Sequence, residues 1–364
     1  MLRVLVVALG VRTGGGGGSH VLSQVTALSE RPELELTVHA SGRLAGELAR
    51  MAPRARVVGH PRRAPAARLV YEQLVLARRA RRYDVLYVPG NLGLLLARTP
   101  QVVCEQNAWY FTAPVRAFRR RACSRRMRMR LVVEAALARA SVRRARAVIA
   151  VSETMRAMLE ADMGRLAHVR VIVSAAPMLE RSAAPPPAEP YVLAVAPDDP
   201  HKDLDGLVEA FARNPDLPPL VIVGRCAGGR RAALQRRAPG RVSLLGLIDD
   251  RRLIADLYAG AACLVAHSYL ESFGMTPAEA LLCGTPVAAS DIPAHREVCG
   301  DRACYYDPAD VEALAAAVRA ACAAPRPAIQ AGGARSWADN AAELADELRS
   351  AAAPHRTRST PLTR

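Results

Sequence analysis

Apolar residues along the chain fall into short, nearly unbroken runs, separated by longer stretches in which they recur every three to four positions. The first series of runs is LRVLVVAL (2–9), LTVHAS (36–41), DVLYVPG (84–90), QVVCEQN (101–107), AVIAVS (147–152) and VRVIVS (169–174). The second is YVLAVA (191–196), PLVIVG (219–224), RVSLLG (241–246), ACLVAHS (262–268), TPVAAS (285–290) and ACYYD (303–307). Runs of this length, rich in Val, Ile and Leu, are expected of strands covered on both faces. Helix-like segments lie between many of them, for example 204–213 and 311–323. The alternation predicts two doubly wound α/β domains in tandem, with a cleft between them and ligands near the C-terminal ends of the strands.

The two series are divided by AAPPPAEP at 183–190, where four prolines in eight residues disfavour helix and sheet alike. The expected organisation is therefore an N-terminal domain over 1–182, a linker over 183–190 and a C-terminal domain over 191–334. An amphipathic helix over 335–352, containing SWADNAAELADELRS, is expected to pack back toward the first domain. A tail over 353–364 has no apolar period and reads as disordered. The run Val4 to Val11 leads into Arg12 and five glycines without a small-residue cleavage site, so it reads as a buried strand and not as a signal peptide. No apolar stretch approaches the ~20 residues that span a bilayer.

Charge changes this picture in one respect. The net charge is +16 over 364 residues, and it is unevenly placed. Residues 1–185 hold 31 arginines against 12 acids, a net of +19, whereas residues 186–364 carry a net of −3. The first half is expected to meet something anionic. Within it, residues 115–148 contain 12 arginines and one acid, Glu134. Leu131, Val132, Val133 and Leu137 are expected to face the core there. The arginines then form either a solvated face or a surface for anionic lipid headgroups or a phosphate-bearing acceptor. Nucleic acid is disfavoured: aromatic residues are only 4% of the chain, leaving little for base stacking. The eight cysteines show no CxxC pair and no metal spacing with histidine, which reads as reduced thiols in a cytoplasmic protein.

Candidate chemistry concentrates in the second half. Of 50 basic residues, Lys202 in PHKDL is the only lysine. A compact ammonium on a thin stem suits a narrow phosphate site better than the planar guanidinium fork. In HSYLESFGMTPAEALLCGTPVAASDIPAHREV (267–298), Glu271 and Glu279 lie eight residues apart around a Ser272-Phe273-Gly274 turn. Thr276 is the expected N-cap of a following helix, with Pro277 in its first turn. A helix starting after a glycine turn is an anion site. Glu271 then reaches a sugar hydroxyl or is a loop carboxylate. Glu279 reaches a ribose diol or merely closes a Thr-x-x-Glu capping box.

The stretch ESFGMTPAEALLCGTPVAASDIPAHREV resembles the E-x7-E signature of retaining glycosyltransferases of family four, whose fold is GT-B. HKDLDGLVEAF resembles that family's phosphate-lysine segment, while PLVIVG, VSLLGLIDDRRLIADLYAGA and DPADVEALAAAV follow in the family's order. The likeness is specific in the second domain and looser in the first. It implies a GT-B architecture, two Rossmann-like domains facing across a cleft, and transfer of a sugar from a nucleoside-diphosphate donor to a sugar, lipid-linked or small-molecule acceptor. No metal or other cofactor is implied. Lys202 and Glu271 become the catalytic candidates, and Ser272, Phe273, Gly274, Met275, Thr276 and Glu279 the donor-binding ones.

Gly15, Gly16 and Gly17 sit where the family has its glycine-rich loop; the five-glycine run is also low in complexity and reads equally as a flexible loop. His20 reads as a helix-start residue and Ser152 as an N-cap. Two departures stand out. Ala196 and Pro197 occupy the region where many members carry an arginine before the lysine, and Asp198 and Asp199 would oppose an anion; Arg225 is one candidate for the missing charge. Gln106 stands where many relatives have a histidine, and it cannot titrate. These departures support an alternative, a non-catalytic GT-B-like partner or regulatory subunit. The expected location is the cytoplasm, free or peripheral on the inner face of the membrane.

Overall fold

The computed structural model describes residues 1–11, 13, 15–111, 123–176, 189–328 and 335–353. The apolar runs pair into two all-parallel sheets. The first contains β1 (Leu2–Ala8), β2 (Leu34–Ser41), β3 (Arg56–His60), β4 (Val85–Val88), β5 (Gln101–Glu105), β6 (Ala147–Ala150) and β7 (Val169–Val171), in the order β3-β2-β1-β4-β5-β6-β7. The second contains β8 (Val192–Val195), β9 (Leu220–Val223), β10 (Val242–Gly246), β11 (Cys263–Ala266), β12 (Val287–Ser290) and β13 (Ala303–Tyr306), in the order β10-β9-β8-β11-β12-β13. In each sheet the chain starts in the middle, winds to one edge and returns to build the other. The order reverses beside β1 and beside β8, the switch points where doubly wound sheets open a ligand crevice.

Helices cover both sheets: α1 (Gly16–Ser29), α2 (Gly42–Met51), α3 (Pro65–Tyr71), α4 (Arg125–Arg144), α5 (Glu153–Met163), α6 (Leu204–Arg213), α7 (Gly228–Arg237), α8 (Arg251–Gly260), α9 (Met275–Leu282), α10 (Pro293–Cys299), α11 (Val311–Ala323) and α12 (Trp337–Ala352). Several starts are written into side chains. Ser152 accepts from the Met155 amide at 2.8 Å, and Asp310 caps α11 by accepting from the amides of Glu312 and Ala313. Ser336 and Asp339 form a reciprocal capping box at the start of α12. α12 then buries Ala341, Leu344, Ala345 and Leu348 in the core of the first domain. Gln24 on α1 donates to Asn340 Oδ1 at 2.9 Å, and Asn340 Nδ2 donates to the Val173 carbonyl at 2.9 Å. Each buried leucine contributes about 1.5–3 kcal/mol, so α12 is a firm clasp across the start and end of the chain.

Two local expectations are corrected. The strand series above has no member at 56–60, yet β3 pairs there with β2. It is a half-exposed edge strand flanked by arginines and proline, so it lacks the unbroken apolar signal of its neighbours. On α4, Leu131 is buried, but Val132 and Val133 are 63% and 58% exposed and point away from the core with Met129. The inward stripe runs instead through Leu131, Ala135, Ala138 and Val142, at helical spacing. Most of the linker expected at 183–190, the tail from 354 onward, and Arg119, Arg120 and Arg121 lie outside the described residues.

Candidate active site

The strand ends of both domains converge on one cavity of about 670 Å³. Its lining includes every candidate named from the sequence: Gly15, Gly16, Gly17, Lys202, Glu271, Ser272, Phe273, Gly274, Met275, Thr276 and Glu279. Although 69 positions separate them, Lys202 and Glu271 meet at its floor, Nζ to Oε1 at 2.5 Å. Both side chains are mostly buried, at 13% and 18% exposure. Lys202 ends a 3-10 turn, Pro200–Lys202, whose chain is redirected by Asp203 in the left-handed region at φ +36. Asp203 then caps α6 through the Gly206 amide at 3.2 Å; a Cβ at 206 would lie 2.5 Å from its carboxylate.

Burial opposes ionisation of Glu271, but the Lys202 ammonium overrides it and holds the carboxyl at about 2. The neighbouring His295 is pushed down to about 4 by burial, and His201 is lowered for the same reason. The floor of the cleft is thus an ion pair set among neutral imidazoles. His201 also meets the Trp109 ring of the first domain edge-on at 5.4 Å.

The start of α9 differs from the expectation. Gly274, at φ +103, makes the turn and serves as N-cap, so the helix begins at Met275 and Thr276 lies inside it. The Thr-x-x-Glu capping box is therefore not formed. Glu279 instead accepts from the Tyr258 hydroxyl at 2.8 Å, and burial pushes its carboxyl up to about 7. No spacing in the sequence links Tyr258 on α8 to Glu279 on α9. The first-turn amides of α9 have no intrahelical acceptors, and Gly274, Met275 and Thr276 line the same cavity as Lys202.

The loop before α9 is also tied to the first domain. Ser272 Oγ donates to the Gln106 carbonyl at 2.6 Å, and Ser152 Oγ donates to the Ser272 carbonyl. The Phe273 ring enters the first domain's core. Glu297 on α10 accepts from the amides of Glu153 and Thr154 at 2.8 Å each, capping α5 across the domain boundary. Ser152 is therefore an N-cap and a bridge at once.

α1 begins at Gly16 with Gly15 as its extended N-cap. The first two helical glycines leave room for a methyl group: a Cβ on Gly16 would lie 3.6 Å from Met275, and one on Gly17 3.5 Å from Gln106 Oε1, both ordinary contact distances. Gln106 is held by its own bonds, Nε2 donating to the Pro89 carbonyl at 2.6 Å and the Gln106 amide donating to Asn91 Oδ1 at 2.6 Å. His20, expected at the helix start, falls in the second turn of α1. It is buried beneath Trp337, bonded to Ser174 at 2.9 Å, and lowered to about 4 by that burial.

On the second domain's side, the expected conflict of Asp198 with an anion is relieved, because Arg230 pairs with it at 3.4 Å. Asp199 remains in the lining. Gly224 follows β9 at φ +156; a Cβ there would sit 2.2 Å from the Ala196 carbonyl oxygen. Arg225 follows Gly224 and lines the cavity together with Ala196 and Pro197, the residues at the position of the expected arginine.

Two family descriptions match the chain in succession: Glycosyltransferase Family 4 over residues 14–174 and Glycosyl transferases group 1 over residues 178–341. The chain belongs to glycosyltransferase family 4. Among curated relatives of this family 4 protein, O-antigen chain mannosyltransferase B of Escherichia coli is 33% identical over 135 residues, 35% of each chain. O-antigen chain mannosyltransferase RfbU of Salmonella typhimurium is 28% identical over 191 residues, 50% of this chain and 53% of that one. The matches thus span about a third to a half of the length of these relatives. The crystal structure of Anabaena Alr3699/HepE, solved with UDP and glucose, superimposes with a TM-score of 0.73 at 20% identity, covering 96% of this chain and 100% of the other. The two share the GT-B fold. Among the described residues, no helix is long and apolar enough to cross a membrane.

Proposed function

We propose that this family 4 protein is a retaining glycosyltransferase that moves a sugar from a nucleoside-diphosphate donor to an acceptor held against the first domain. The observation that carries this reading is the convergence of Lys202, Glu271, Glu279 and the first turn of α9 in one cleft. HepE was solved with UDP and glucose, and the curated relatives are named mannosyltransferases, which supports a hexose donor.

The donor diphosphate lies between the Lys202 ammonium and the α9 amides, with Arg225 as a second cation. Glu279 accepts the ribose hydroxyls. Glu271 turns from Lys202 to the sugar hydroxyls, so the ion pair between them opens as the donor enters. As the bond from the anomeric carbon to the phosphate oxygen breaks, negative charge grows on the diphosphate, and Lys202 stabilises it. The acceptor oxygen attacks from the same face, and its proton passes to the departing phosphate oxygen. This scheme assigns no protein base, which suits the untitrating Gln106, and requires no metal. Proton NMR of the product tests it: the anomeric configuration of the donor is retained with EDTA present, and an inverted product would overturn the scheme.

We also infer that the protein works in the cytoplasm at an anionic membrane surface, with α4 resting on the bilayer. Met129, Val132 and Val133 are exposed on a helix rich in arginine, an arrangement suited to the headgroup boundary.

A further inference from the structure

Beside the donor cleft lies a second cavity of about 180 Å³. It opens at the C-terminal ends of β1, β2 and β3 and shares Val11, Thr13 and Arg225 with the lining of the larger one. At ~30 Å³ per water, it has room for about six waters, enough for a phosphate group. Arg62, Arg63, Arg68 and Arg225 line it, with His60, and among the described residues no carboxylate does.

Two of the arginines lie close against the surrounding backbone, and a third against a ring. A Cβ on Gly42 would lie 2.8 Å from Arg62 Nε, so the Arg62 guanidinium lies against the first turn of α2. A Cβ on Gly10 would lie 2.7 Å from Arg68, which therefore leans over the end of β1. Arg63 stacks on Tyr71, 4.5 Å from the ring centroid. At the head of α2, the Ser41 hydroxyl donates to the Leu9 carbonyl at 3.0 Å and leaves the helix amides uncapped. A guanidinium at a helix N-terminus opposes the helix dipole; an anion between the two relieves that conflict. Among the described residues, Arg68 has Glu72 at 3.6 Å, and no ion pair joins Arg62, Arg63 or Arg225 to a carboxylate. Glu72 is itself pushed up to about 7 by burial, so near neutral pH it is only partly ionised and offsets part of one charge.

We propose that this cavity is an acceptor subsite for a phosphate group, so that the acceptor is a phosphate-bearing sugar or polyol whose attacking hydroxyl reaches past the glycine loop into the donor cleft. Several guanidiniums and a helix terminus converging from different directions match a tetrahedral dianion better than a planar carboxylate. The identification as acceptor rests on the glycosyltransferase reading above; the phosphate site does not.

The test uses the full chain and the Arg62→Gln/Arg63→Gln double variant, whose arginines are exposed and whose fold is checked by melting. Arg81→Gln/Arg82→Gln, exposed elsewhere, controls for net charge. Inorganic phosphate is titrated calorimetrically into each. The site variant is expected to weaken binding about tenfold or more and the control to leave it nearly unchanged; equal binding in all three overturns the site. Transfer is then measured to an alkyl hexoside, to its 6-phosphate ester, and to phosphatidylglycerol vesicles. Wild type is expected to prefer phosphate-bearing acceptors through a lower KM, with the preference lost in the site variant at unchanged kcat. Preference for the soluble ester identifies a free sugar phosphate, and preference for vesicles a lipid headgroup. Equal transfer to neutral and phosphorylated acceptors in both proteins overturns the proposal while the transferase reading stands. Loss of phosphate binding without transfer to any acceptor upholds the site and overturns the transferase reading.

Discussion

Glu271→Gln separates the two partners of the floor ion pair more cleanly than any other substitution. The Lys202 ammonium is bound 2.5 Å from the Glu271 carboxylate, and in the proposed pose a donor diphosphate competes for it. Glutamine keeps the size and a hydrogen-bond acceptor but removes the charge, so Lys202 is released toward the diphosphate. Bare nucleoside diphosphate should therefore bind as well as to wild type, or up to about tenfold tighter. Turnover should move the other way. A hydrogen bond to a charged group contributes about 1.5–3 kcal/mol, so losing the Glu271 contact to the sugar lowers kcat roughly ten- to a hundredfold.

Stability supplies a second reading of the same pair. Glu271 is held at about 2 against an ordinary value of 4.5, which corresponds to about 3 kcal/mol of native-state stabilisation at neutral pH. The sign is that of a depressed acid: the stabilisation is present above about pH 4.5 and is lost as pH falls through 2. Urea melts from pH 5 to pH 2 should show this loss in wild type and little of it in Glu271→Gln. Calorimetry with UDP, GDP, ADP and dTDP, beside steady-state transfer, checks the binding half. Weaker binding of the bare diphosphate to Glu271→Gln, with turnover unchanged, would refute the division of labour between lysine and glutamate.

Three further outcomes are expected. In the proposed pose Glu279, raised to about 7 by burial, accepts the ribose hydroxyls most strongly as the carboxylate, so nucleotide affinity should rise with pH through about 7 and level off above it. Binding near pH 6.5 should release a proton, seen as a buffer-dependent calorimetric enthalpy, and Glu279→Gln should lose both effects. Because the capping box is not formed, the same substitution should change stability by no more than its bond to Tyr258, about 0.5–1.5 kcal/mol; a larger loss would make Glu279 a structural residue first. Replacing Met129, Val132 and Val133 with serine should abolish sedimentation with anionic vesicles at unchanged melting temperature, and equal sedimentation with neutral vesicles would contradict the membrane reading.

How much of this was legible in the sequence differs by feature. The strands were, because parallel strands buried on both faces must be apolar along their whole length, and α6 and α11 stand over the residues that their periodicity marks. β3 was not, since an edge strand owes only half its surface to the core. The outward turn of Val132 and Val133 was hidden by a small inward stripe: Ala135 and Ala138 fill the interface, and alanine carries a weak hydrophobic signal. In the site, residue types and spacing picked out Lys202, Glu271 and Glu279. Their partners were not readable, because Tyr258 reaches Glu279 and Ser152 reaches Ser272 only through tertiary packing. The capping box failed as an expectation for a local reason: Gly274 adopts a positive φ and starts the helix ahead of Thr276. The resemblance to family four added the order of the motifs; Arg225 lines the same cavity as Pro197, and Gln106 is anchored by Pro89 and Asn91.

The central claim is that this cleft binds a nucleotide sugar through Lys202. Calorimetric titration of UDP-, GDP-, ADP- and dTDP-hexoses into wild type and Lys202→Ala tests it most directly. The account predicts saturable one-to-one binding of at least one donor, weakened about ten- to a hundredfold by the alanine, in line with a lost charge-assisted contact. Binding of no nucleotide sugar, as expected of a non-catalytic scaffold, or equal affinity in the two proteins, would contradict it.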